Sequence, residues 1–85
     1  MVRAKFTVQK VERTLTVTEK DGKRVPIELN TIVLQPVYSA DPESENRKFW
    51  LYSPSGEIRL GTINPEVAPQ FELGGEYYVD FTRAG

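Results

Sequence analysis

The chain has 85 residues and a formal net charge of −1, and it contains neither cysteine nor histidine. That length makes one domain, residues 1–85, with a thin core. The missing residue types exclude disulfides, thiolate metal sites and the commonest near-neutral general base, while the balanced charge excludes a globally basic duplex-DNA binder.

No apolar run approaches the roughly 20 residues needed to cross a membrane, and no signal peptide precedes the first strand. A cytoplasmic protein is the expectation, with no membrane partner and no cofactor.

Alternation governs the N-terminal part. Ala4, Phe6 and Val8 share one parity, and Val11, Leu15 and Val17 share the other. A one-residue β-bulge at Gln9-Lys10 would keep both sets on one face. The turn that follows contains Asp21-Gly22. A two-residue type I′ turn there would oppose Val17 to Pro26 and Leu15 to Glu28. A three-residue loop, Lys20-Asp21-Gly22, pairs Val17 with Val25 and Leu15 with Ile27, and the apolar match favours it.

The second strand reads as Val25 to Tyr38. Ile27 and Leu29 differ in parity from Ile32 and Leu34, which suggests another irregularity at Asn30-Thr31. Ser39 to Arg47 reads as a polar, acidic loop. Lys48 to Tyr52 reads as a third strand and Glu57 to Ile63 as a fourth. Asn64 looks like a helix N-cap with Pro65 at the first helical position, and Pro69 limits that helix to a turn or two. Gly74-Gly75 then turns into a fifth strand, Glu76 to Thr82. The expected fold is all-β: a small five-stranded antiparallel barrel, OB-like or SH3-like, with one short helical turn before the last strand.

Chemistry-bearing residues are sparse. Glu57 and Asp80 are the carboxylates that neighbouring strands would bring together, yet both read as solvated outward residues. Asp41, Glu43 and Glu45 alternate in the acidic loop but lack the glycine and distal glutamate of a calcium loop, so no metal site is expected. No catalytic residue is assigned, and the chain reads as a non-enzyme.

The sharpest signal is Arg47-Lys48-Phe49-Trp50-Leu51-Tyr52. As a strand it would expose an aromatic pair beside Arg47 and Arg59, which suits stacking on single-stranded nucleic acid or a nucleotide. Tyr78 would extend that stripe. The competing reading buries Trp50 in the core. Outward Lys5, Lys10, Lys23 and Arg24 would form a basic side, or ordinary surface charge.

Arg3-Ala4-Lys5, Pro36-Val37-Tyr38, Ser53-Pro54-Ser55-Gly56, Asn64-Pro65 and the run from Gly75 to Thr82 together give the chain a resemblance to a family of small tailed-bacteriophage proteins. Ser53 stands where that family has Thr, and the Arg3–Leu34 hairpin is longer. The resemblance implies a phage source and a bacterial host cell, and no assigned activity.

Two functions follow as expectations. One is a binding module that takes single-stranded nucleic acid or a nucleotide through Trp50, Tyr52, Arg47, Arg59 and Tyr78. The other is a protein-interaction module: an inhibitor of a host or defence protein, or a self-assembling accessory that forms a homo-oligomer.

Overall fold

Two long strands dominate the molecule, β1 (Val2–Lys20) and β2 (Lys23–Pro36). The computed structural model describes residues 2–85. A helix α1 (Glu45–Trp50), strand β3 (Ile58–Thr62), a 3-10 turn at Ala68–Gln70 and strand β4 (Glu76–Phe81) complete the chain. The protein is mostly antiparallel β with little helix. Its four strands form one sheet in the order β3-β2-β1-β4.

The β1–β2 turn is the two-residue form, and the expectation of a three-residue loop is corrected. Asp21 has φ 53° and Gly22 φ 76°, the positive values a type I′ turn demands. Lys20 faces Lys23, Val17 faces Pro26 and Leu15 faces Glu28. Apolar matching failed as a guide because it acts only where a face is buried. Leu15 is 80% exposed and Val17 50%, so turn chemistry sets the register.

The expected bulge is present. Val8 pairs with Leu34 and Lys10 with Val33, leaving Gln9 as the extra residue. The phase change puts Ala4, Phe6, Val8, Val11, Leu15 and Val17 on one face of the sheet. The second irregularity, at Asn30-Thr31, is absent: pairing runs unbroken there with both β1 and β3. Ile27, Leu29 and Val33 therefore lie on the reverse face. Val33 is buried there, between Lys10 and Arg59 in the register, where long cationic side chains lay their aliphatic stems over apolar neighbours.

The core sits on the first face. Ala4, Phe6, Val8, Ile32 and Leu34 are buried, with Trp50, Ile58, Phe71, Tyr77 and Val79 packed against them. Burying Val8 or Ile32 contributes roughly 1.5–3 kcal/mol each.

Lys48–Tyr52, expected as a strand, is instead the end of α1 and its cap. Ser44 starts the helix, its hydroxyl accepting the Arg47 N–H at 3.2 Å, and Glu45 lies in the first turn, where the helix dipole favours an acid. Helical spacing brings Asn46, Phe49 and Trp50 to one side. Of the run Phe49–Tyr52, Trp50 packs against the core, while Phe49, Leu51 and Tyr52 remain exposed. Buried Asn46 ties the helix to the backbone of Lys5 and Val37.

The short helical turn before the last strand is present as Ala68–Gln70. Its expected start is corrected: Asn64 Oδ1 accepts the Glu66 N–H at 3.0 Å within a separate turn over residues 64–67. The helical turn is flanked by Val67 with no side-chain cap, and Pro69 lies inside it at its start and does not limit it from beyond. Tyr77 fixes its exit, its hydroxyl donating to the Gln70 carbonyl and accepting the Glu72 N–H, both at 2.9 Å. Strand β4 covers most of the expected span. The sheet does not close into a five-stranded barrel: with the aromatic run used as helix, β3 and β4 remain its two edges.

Candidate interaction surface

The residues expected to form an aromatic and cationic stripe are divided between the two faces of the sheet. Trp50 lies on the core face. Its ring meets Phe6 edge-on at 6.1 Å and Phe49 at 4.3 Å, and its indole N–H donates to the Ser55 carbonyl at 3.0 Å. Half-buried Arg47 precedes it on α1, and Tyr52 follows the helix as an exposed ring. Those three share one neighbourhood. Arg59 and Tyr78 belong to the reverse face and to opposite edges, β3 and β4.

Cations already occupy Tyr78. The Arg3 guanidinium lies 4.8 Å from the ring centroid and the Lys5 ammonium 5.5 Å. Arg3 also grips Asp80 through two hydrogen bonds of 2.7 and 3.0 Å. That bond and the opposite charge hold the Asp80 carboxyl below its ordinary value and raise the Arg3 guanidinium. A general acid needs the opposite shift. Glu57, the other carboxylate of interest, stands at the β3 edge and reaches Arg59 at 3.5 Å.

The remaining charges are similarly dispersed. Lys5 meets Glu76 at 3.8 Å, and Lys10 meets Glu12 at 2.7 Å. Arg13 binds Glu28 through bonds of 3.1 and 2.8 Å, which lowers the Glu28 carboxyl. Among the described residues Lys23 and Arg24, at the hairpin tip, form no ion pair. In the acidic loop Asp41 Oδ1 accepts the Glu43 N–H at 2.9 Å, and Glu43 faces Lys48 at 3.5 Å. Among the described residues no three His, Cys, Asp or Glu gather as metal ligands, and no helix is long and apolar enough to cross a membrane.

A different surface stands out. A groove of about 580 Å³ is lined by Leu34, Ile58, Leu60, Phe71, Tyr77 and Val79, together with the rest of β4 to Phe81. Both edge strands contribute to it, so it is the gap through which the sheet fails to close. Leu60 and Phe81 are exposed at its rim. Phe71 is held against Tyr77 with ring centroids 5.3 Å apart and forms one end.

Parity sets Ile58 and Leu60 on one face of β3, and Tyr77, Val79 and Phe81 on one face of β4. Nothing in that pattern showed that the inside would stay open. Searches against protein-family profiles, curated proteins and solved structures give no match to the chain.

Proposed function

We propose that the protein is a non-enzymatic protein-interaction module that receives an extended apolar segment between β3 and β4. The carrying observation is the groove, an apolar surface bounded by two unpaired strand edges. Free edges offer backbone donors and acceptors to an added strand, and pockets between them select its alternate side chains. A strand supplied by the partner would complete the small five-stranded barrel suggested by the sequence. In this reading the module works in the cytoplasm of a bacterial host, in keeping with the resemblance to phage proteins, and acts on a host protein or on another copy of itself.

The alternative, stacking of single-stranded nucleic acid, needs aromatics and free cations on one surface. Tyr52 and Arg47 stay beside Trp50, but Trp50 is packed on the core, Tyr78 lies on the other face, and Arg59 and the Tyr78 neighbour Arg3 each meet an acid. Protein recognition is therefore the better-supported reading.

Peptides selected from a random library against the immobilised protein test the proposal. They are expected to be alternately apolar, to shift the amide resonances of β3 and β4, and to lose binding on Leu60→Glu. Salt-sensitive quenching of Trp50 emission by poly-dT, with no such peptide recovered, would replace this reading by the nucleic-acid one.

A further inference from the structure

The β1–β2 hairpin runs far beyond the body. Among the described residues β4 pairs with Val2–Thr7, and β3 reaches along β2 to Asn30. From Thr14↔Leu29 to the turn, seven residue pairs form a two-stranded arm, about 24 Å long at the usual strand rise. An isolated two-stranded ribbon is marginal in water, and three strands or a packed face are needed to hold it. On the arm's core-side face, Leu15 and Val17 are solvent-exposed.

The shape of the whole molecule leads to the same point. Its radius of gyration is 16.3 Å and its extents are 53 × 33 × 19 Å. A compact chain of this length has a radius near 12 Å. The accessible surface is 6468 Å², whereas a compact monomer of this mass exposes about 5100 Å². The excess of about 1300 Å² exceeds the roughly 800 Å² that each partner buries in a standard interface.

One chain thus carries both an unsupported apolar arm and an unfilled apolar groove. A two-fold dimer requires this kind of self-complementarity, since each copy must offer the same two surfaces. We infer that the protein forms an arm-exchanged dimer in which Leu15 and Val17 of each copy seat in the groove between β3 and β4 of the other. The Arg13–Glu28 pair, on the same face of the arm, forms part of the polar rim. This assignment rests on the protein-interaction reading and names its partner as a second copy.

The absence of cysteine makes cross-linking a clean test. Full-length L15C and L60C chains are mixed and oxidised, and the mass of the unsubstituted protein is measured by sedimentation equilibrium. The expected results are a dimer mass and a disulfide between L15C and L60C. Leu15→Lys should raise the dimer dissociation constant about tenfold or more. The circular dichroism spectrum should stay unchanged, because Leu15 lies outside the core.

A monomer mass with no mixed disulfide overturns the inference. A dimer that survives Leu15→Lys and gives no L15C–L60C link overturns it as well. If the monomer still binds library-selected peptides at β3 and β4, only the second copy is eliminated as partner and the interaction module stands.

Discussion

Asn46 Oδ1 accepts the backbone N–H of Lys5 at 2.6 Å, and Asn46 Nδ2 donates to the Lys5 carbonyl at 2.8 Å. The same Nδ2 donates to Val37 at 2.6 Å. β2 ends at Pro36, where the chain leaves the sheet, although the Val37 N–H still reaches Lys5 at 3.0 Å. The Asn46 amide thus replaces the missing rung of the ladder. At 4% exposure it does so away from water.

Asn46→Ala should therefore cost about 2–4 kcal/mol, because it orphans the Lys5 donor and the Val37 acceptor together. Urea unfolding checks this. Asn46→Asp keeps the acceptor but sets a carboxylate against two carbonyl oxygens. It should also destabilise, and least at acid pH, where the carboxyl is protonated and can donate.

Leu51 caps α1 with φ 69°, a conformation that suits glycine. Its side chain is 67% exposed, so little burial is lost on removal. Leu51→Gly is expected to stabilise the protein by about 0.5–1 kcal/mol, and the thermal midpoint should rise by about 4 °C. A lower midpoint would show that the Leu51 side chain contributes more than its backbone strain costs.

Gly75 is crowded rather than left-handed. A Cβ there would lie 3.0 Å from the Glu72 carbonyl oxygen and 3.1 Å from Tyr77 Cε2. Gly75 also accepts the Val8 N–H at 3.0 Å, which fixes its position beside β1. Gly75→Ala should destabilise by about 1–3 kcal/mol. It should also weaken binding at the groove, because the Phe71–Tyr77 wall shifts with it. Unfolding curves and peptide titration measure the two effects separately.

Asp80, Glu28 and Glu12 all have carboxyls lowered in the folded state, chiefly by hydrogen bonds from Arg3, Arg13 and Lys10. A lowered folded value means that the unfolded chain binds protons first as pH falls. The stabilisation is complete above the ordinary carboxylate range and is lost as pH drops through the folded values. Asp80→Asn should flatten this acid limb in part. The pairs are exposed, so the change is small and weakens with salt. Unfolding midpoints across acid pH, with and without salt, test it.

Sequence and structure agree where one face of the alternation is buried. The Gln9 bulge and the β3 and β4 spans are legible from parity, and a short helical turn before β4 is legible as such, although it begins at Ala68 and not at Pro65. The sequence misleads at Lys48–Tyr52, where an alternating pattern overlies a helix end whose signal, the Ser44 cap, lies upstream in the polar, acidic segment. It also misleads at the hairpin, where Leu15 and Val17 suggested a core-facing register although nothing in their own chain covers them. The groove is half legible: parity groups its lining residues on one face of each strand, but openness is a property of strand count and pairing. Converting one expected strand into α1 removed closure, a change that no single residue in the groove reports.

The Gln9 bulge separates the arm from the body in one further sense. It sets the phase of every residue beyond it: were Gln9 paired in a regular ladder, Thr14 and Thr16 would stand where Leu15 and Val17 now do. The seven pairs from Thr14↔Leu29 to the turn contribute nothing to the buried core cluster. Two residue pairs added or removed there would change the arm by about 7 Å while returning the same side chains to the same face. The reach of the molecule is therefore an adjustable length carried on a fixed body, and a spacing between partners could be tuned at the tip without altering what lies at the base.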